Sequence, residues 1–200
     1  AVVTPPSTQS TTYNTHSSTP PSAVVVTPAA VGDGVIDTNI ISTAADGAYF
    51  VSTADIDGDG DIDVLSASYL DDTVAWYENN GSGAFTEHII STAVDATYSV
   101  TTADVDGDGD MDVLSTSWND DKIAWYENDG SESFTEHTIT TAANGATSVT
   151  TADVDGDGDM DVLSASFYDD KIAWYENDGS EIFTAHTITT AANAARSVTT

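Results

Sequence analysis

The sequence predicts an all-β protein of tandem four-stranded blades, each 49 residues long and β-propeller-like. Three observations predict it. Residues 100–148 and 149–197 are one segment written twice, differing at seven of 49 positions, and residues 51–99 form a more divergent first copy. Each copy breaks into short runs rich in Val, Ile, Thr, Tyr and Trp, punctuated by Gly, Asn and Asp, which is the composition of strands and their turns. No apolar stripe at helical spacing survives ten residues, so the sequence offers no place for a helix. A repeat of this length is one supersecondary unit, and neighbouring units must bury its faces.

Within the second copy the predicted strands are SVTTADV (99–105), DVLSTS (112–117), KIAWYEN (122–128) and FTEHTIT (134–140). In the third of these, Ile123, Trp125 and Glu127 alternate with Ala124 and Tyr126. Both faces of that strand carry bulk, as a sheet stacked between other sheets requires. Ahead of the first copy, residues 37–43 (DTNIIST) match 86–92 (TEHIIST) and read as an orphan last strand. After the third copy, residues 197–200 read as an orphan first strand. With twelve strands from three copies that makes fourteen, or three and a half blades. A closed propeller has about four to eight, so the repeat domain, residues 35–200, is a partial propeller completed by neighbouring segments or copies.

Residues 1–34 differ from the rest. They hold all five prolines, twelve Ser or Thr and one charged residue, Asp33. Such a stretch reads as an extended stalk, and an ordered one must rest against its own domain or a neighbour. Thr4, Thr8, Thr11, Thr12, Thr15, Thr19 and Thr27 are candidate O-glycosylation sites in a secreted protein, and Asn80-Gly81-Ser82 is the N-glycosylation sequon.

Thirty-four acidic residues stand against Lys122, Lys171 and Arg196, a net charge of −31. A surface of that sign repels nucleic acid and anionic lipid and attracts cations. No apolar run approaches the roughly 20 residues of a membrane span. There are no cysteines, so disulfides contribute nothing. A start at Ala1 fits a processed secreted chain and fits a piece of a longer one equally.

The chemistry lies in the loops after the first strands: Asp55, Asp57, Asp59, Asp61 and Asp63; Asp104, Asp106, Asp108, Asp110 and Asp112; Asp153, Asp155, Asp157, Asp159 and Asp161. Five carboxylates over nine residues repel one another, and three basic residues cannot neutralise fifteen acids. A bound divalent cation resolves the repulsion. Ca²⁺ takes about six to eight hard oxygens in flexible geometry, whereas Mg²⁺ demands a stricter octahedron and keeps its waters. The absence of Cys, and of His within the loops, argues against zinc and copper. Gly60, Gly109 and Gly158 let the chain turn sharply at the sixth position, and Gly58, Gly107 and Gly156 keep the loop narrow. An EF-hand shares the Asp spacing but needs Glu at position twelve, where this chain has Ser66, Ser115 and Ser164. One Ca²⁺ per loop, three in all, is the expectation.

The pattern D-x-D-G-D-G-D-x-D-V-L followed by W-Y-E-N-D-G-S resembles the FG-GAP/VCBS repeats of secreted proteins, relatives of the integrin α-subunit propeller repeats. The resemblance covers residues 35–200. It implies side-chain ligation by the first, third, fifth and ninth positions (Asp55, Asp57, Asp59 and Asp63 in the first loop) and carbonyl ligation by the seventh, Asp61, with the same sets in the other loops. The Phe-Gly and Gly-Ala-Pro signatures of the integrin version are absent.

Two other constellations recur. His88, His137 and His186 are beside Glu87, Glu136 and Ala185. An acid–base pair of sequence neighbours therefore fails in the third copy, and no catalysis is expected. Trp76-Tyr77, Trp125-Tyr126 and Trp174-Tyr175 read as core on one face and groove on the other. Copies this alike present one surface repeatedly, which suits a structural extracellular protein that joins head to tail in a fibre or continues in a longer chain. The runner-up is an adhesion module for carbohydrate or protein ligands. A third reading is the non-catalytic repeat section of a larger secreted enzyme.

Overall fold

The computed structural model describes residues 39–200 and the backbone of residues 24–26. The remainder of the stalk, with its seven candidate threonines, lies outside the described residues. Two short strands come first, β1 (Val24–Val26) and β2 (Asn39–Ser42). Blade one comprises β3 (Ala48–Ala54), β4 (Asp63–Ser68), β5 (Thr73–Asn79) and β6 (Phe85–Ser91). Blade two comprises β7 (Thr97–Ala103), β8 (Asp112–Ser117), β9 (Lys122–Asn128) and β10 (Phe134–Thr140). Blade three comprises β11 (Ala146–Ala152), β12 (Asp161–Ser166), β13 (Lys171–Asn177) and β14 (Phe183–Thr189). Each blade is an antiparallel meander in chain order, and the described residues contain no helix.

Three predicted strands of each blade fall where the sequence places them, and the first starts and ends two residues earlier. β7 stops at Ala103 because Asp104 and Val105 belong to the loop, where the Val105 N–H donates to Asp112 Oδ2 at 2.8 Å. The two orphan strands fare differently. β2 forms within the expected segment, but its partner comes from the stalk: β1 pairs with it antiparallel, Val25 opposite Ile40 and Val26 opposite Asn39. Residues 197–200 form no strand. The first strand of each blade hydrogen-bonds to the second strand of its own blade, and residues 197–200 have no second strand beside them among the described residues. They run beside β11 and are held by side chains, with Val198 N–H donating to Ser148 Oγ at 3.3 Å and Thr200 Oγ1 to the Thr151 carbonyl at 3.3 Å.

Burial explains why the third strand carries bulk on both faces. Trp76 and Tyr77 are 0% and 1% exposed, and Trp125 and Tyr126 likewise. Consecutive strand residues point to opposite faces, so each sheet has a Trp face and a Tyr face. One core joins the Trp76 face of blade one (Leu65, Val74) to the Tyr126 face of blade two (Val113, Ala124). The next joins the Trp125 face (Leu114, Ile123) to the Tyr175 face (Val162, Ala173). The expected groove is therefore absent from the first two blades, where both aromatics of the pair are core; in the third Tyr175 is core and Trp174 is half-buried. Each buried phenol finds a serine one strand away, as in Ser115 Oγ to Tyr126 Oη at 3.2 Å, and burial pushes the Tyr126 hydroxyl up to about 12.

Candidate metal centres

Each aspartate loop joins the first strand of a blade to the second, so its two ends are fixed by a ladder. Ala54 is opposite Asp63, Ala103 opposite Asp112, and Ala152 opposite Asp161. The loop residues fold by accepting amides on their own carboxylates. Asp59 N–H donates to Asp57 Oδ1 at 3.1 Å, Asp61 N–H to Asp59 Oδ1 at 2.8 Å, and Gly60 N–H to Asp55 Oδ2 at 3.1 Å. The same Asp-to-Asp turns recur at Asp108, Asp110, Asp157 and Asp159. Both glycines of every loop lie in the left-handed region, for example Gly58 at φ 73° and Gly60 at φ 95°. A Cβ on either would meet nothing within 4 Å. Backbone conformation thus requires the fourth-position glycine, and the width of the loop does not.

The ninth-position aspartates are the anchors. Asp63, Asp112 and Asp161 are fully buried. In each, one oxygen accepts an amide from its own loop and the other accepts the amide that ends the third strand. For Asp112 these are Val105 and Asn128, both at 2.8 Å. Burial pushes the Asp112 carboxyl up to about 6 against the pull of those two amides. Desolvation, reinforced by neighbouring carboxylates, also raises Asp57, Asp106 and Asp155.

Carboxylate oxygens within 4.8 Å of one another come from Asp55, Asp57 and Asp63 in the first loop. In the second they come from Asp104, Asp106 and Asp108, and in the third from Asp153, Asp155 and Asp161. Asp55 Oδ1 is buried and accepts no hydrogen bond, a costly condition for a charged oxygen unless a cation faces it. Three clustered hard oxygens per loop with no thiol or imidazole fit a divalent cation of the calcium kind. The fifth-position Asp59 and Asp157, and the ninth-position Asp112, stand outside these three-residue clusters. So do the seventh-position aspartates: the carboxylates of Asp61, Asp110 and Asp159 lie against Gly81, Gly130 and Gly179. Those turn glycines have φ of 71°, 70° and 72°, and a Cβ there would strike the carboxylate.

A residue passed over in the sequence completes the centres. Asn128 is 1% exposed, and its Nδ2 donates to two loops: Met111 O in its own blade at 3.2 Å and Ile56 O in the preceding blade at 3.0 Å. Asn177 does the same with Met160 O and Val105 O. The asparagines closing the third strands of blades two and three therefore tie successive loops together, whereas Asn79 reaches only Ile62 O of its own loop. The recurrence of that asparagine in all three W-Y-E-N segments was the available signal.

The histidines belong elsewhere. Trp76 pairs with His88 across β5 and β6, while Glu87 faces Tyr77 on the other side, so neighbouring Glu and His cannot act together. His88 instead meets Glu78 at 3.0 Å, His137 meets Glu127 at 2.8 Å and His186 meets Glu176 at 2.6 Å. Each imidazole lies on its blade's tryptophan, with centroids 4.4–4.5 Å apart. That Glu–His pair is a property of every repeat. The sequon residue Asn80 is exposed on the turn after β5, its Oδ1 accepting from Ser82 N–H at 3.0 Å.

No curated protein matches the chain. The family model described as FG-GAP-like repeat matches residues 55–115, 104–164 and 154–200, each match beginning at or beside the first aspartate of a loop. Aspartate loops, four-stranded blades and this triple match together place the chain in the FG-GAP-like repeat family.

Proposed function

We propose that this is an extracellular structural module whose blades are held in register by one Ca²⁺ per aspartate loop. The observation that carries the reading is the threefold recurrence of converging carboxylates, one with a buried oxygen that no donor reaches. Asp55, Asp57, Asp59 and Asp63, with the Asp61 carbonyl, would hold the first ion, and the same positions 49 and 98 residues on would hold the others. The ion neutralises clustered charge, so its binding free energy becomes folding free energy. The extracellular setting typical of FG-GAP repeats supports a location outside the cell, where loops of about 10⁻⁴–10⁻³ M affinity would be filled. Among the described residues no helix is long and apolar enough to cross a membrane.

Near-identical blades suit a scaffold better than an active site, where different residues must converge on one substrate. The module would extend into a surface fibre, by head-to-tail association of copies or by continuation of the array in a longer chain. N-glycosylation at the exposed Asn80 fits that setting. No enzyme activity is assigned to the segment. Turnover of a glycan or peptide that is lost in His137→Ala would contradict that.

Calorimetry with and without chelator tests the calcium reading. At free calcium one hundred times Kd, each site adds about 2.7 kcal/mol. EDTA should lower Tm by tens of degrees, and re-added calcium should restore it at about three ions per chain. An unchanged Tm would end the reading.

A further inference from the structure

The strands that carry the aspartate loops at one end carry aromatic rings at the other. Tyr49, Tyr98, Thr147 and Arg196 occupy the same position in successive repeats, at the entrance to the first strand. Tyr69, Trp118 and Phe167 occupy the position just after the second strand. The ladder makes these positions neighbours, since Ala48 is opposite Ser68 and Ala146 opposite Ser166. Their rings form one arc across three blades. Tyr49 and Tyr98 are 4.4 Å apart by centroid, Tyr98 and Trp118 4.9 Å, and Trp118 and Tyr168 4.9 Å.

Where Thr147 replaces the tyrosine of the two preceding repeats, the arc opens into a cavity of 340 Å³. Tyr98, Trp118 and Tyr168 contribute its walls, and Arg196 lines it beside Phe167. The Arg196 guanidinium lies 4.9 Å from the Phe167 centroid. The other two basic residues are committed to carboxylates, Lys122 to Glu136 at 2.7 Å and Lys171 to Asp169 at 2.9 Å. Arg196 joins no ion pair among the described residues, in a chain of net charge −31. Aromatic faces and an uncommitted set of N–H donors thus converge on one concavity of ligand-binding size.

We propose that this cavity is a carbohydrate site that seats an uncharged pyranose unit. The C–H face of the ring packs on Trp118 and Tyr98, and its hydroxyls meet Arg196 and the Tyr168 hydroxyl. A wholly apolar ligand would leave the guanidinium donors unanswered. An anionic glycan would meet the field of the whole chain and the carboxylates of Asp95, Asp120 and Asp169 at the same blade ends. A neutral polyol ring answers the aromatic faces and the donors together. The site stands at the far end of the strands from the metal loops and does not rest on calcium chemistry.

The test uses the full chain in calcium: a glycan array, then titration of hits followed by tryptophan fluorescence, with an alginate oligomer and a peptide of residues 1–22 as comparison probes. A neutral glycan should bind. Thr147→Tyr, which refills the cavity with the residue of the earlier repeats, should weaken it at least about tenfold, as should Trp118→Ala. Arg196→Gln, at an exposed position, should weaken it with no change in Tm, and so separates lost binding from lost folding. The proposal fails if no neutral glycan binds, if Thr147→Tyr and Arg196→Gln leave affinity intact, if alginate binds more tightly, or if the peptide alone occupies the site.

Discussion

The two ends of each blade obey different rules. At the metal end the second and third copies are identical through all nine loop residues, and the first differs only in Ile56 for Val and Ile62 for Met. At the opposite end lie five of the seven differences between the second and third copies: Thr116/Ala165, Trp118/Phe167, Asn119/Tyr168, Gly145/Ala194 and Thr147/Arg196. The metal end is constrained because the carboxylates at the first, third, fifth and ninth positions serve a backbone amide or a cluster partner, those at the seventh lie against turn glycines, and Asn128 and Asn177 lock neighbouring loops together. The turn end is held by its backbone. Asp72, Asp121 and Asp170, at φ of 53°, 54° and 52°, accept the amides of Ala96, Gly145 and Ala194. With the backbone fixed that way, the side chains between are free to differ.

Two tryptophans seven residues apart give that contrast its largest test. Trp125 is fully buried between blades, so Trp125→Ala should cost about 3–5 kcal/mol in denaturant unfolding. Trp118 is half-buried in the aromatic arc, against Tyr98 and Tyr168, and Trp118→Ala should cost about 1–2 kcal/mol. Equal losses would mean that the turn end is core after all. Next in size is Asn128→Ala, which strands the carbonyls of Ile56 and Met111, the first of them at a buried bond, and should cost about 2–3 kcal/mol. Asn79→Ala removes only the 3.0 Å bond to Ile62 O and the turn bond to Gly81 N–H, and should cost about half as much.

A smaller effect appears only without metal. Asp112, held up at about 6 in the folded chain against 3.8 in the unfolded, binds its proton more tightly when folded. Its contribution to stability is full below the lower value and is lost as pH rises through the higher one. Calcium-free protein should therefore melt at a falling temperature between about pH 4 and pH 6. Asp57 and Asp106 shift in the same direction. Calcium-loaded protein should show no such fall, because the ion displaces the proton. Parallel pH profiles in the two states would break the link between these carboxylates and the metal.

The repeats made the metal end readable. Alternating Asp with two glycines states its chemistry in nine consecutive residues, and three copies in register exclude a chance turn. Strand positions were legible for the same reason, except where loop and strand share a boundary, as at Asp104 and Val105. What remained hidden depends on residues far apart in the chain. The Asn128 bond to Ile56 O spans 72 residues, and nothing local marks Asn128 as more than a turn. Tyr98, Trp118, Thr147 and Arg196 come from four separate segments, and only the stacking of blades reveals that they share a cavity. The Trp-Tyr pair was half read. Alternation gave two faces, but which solvent or sheet each one meets is decided by the neighbouring blade.

Those two faces give the array a direction. Trp125 looks toward the third blade and Tyr126 toward the first, so each sheet is unlike on its two sides and mates only front to back. A twofold axis through such a contact would bring tryptophan against tryptophan and lose the fit of ring to phenol. A further unit that continues the stack, whether in the same polypeptide or in another, must therefore bring a tyrosine side to Trp174. Contacts of that heterologous kind close into a ring where the rotation between units allows it and otherwise continue as an open array. The direction of the array is already written into two adjacent residues of a single strand.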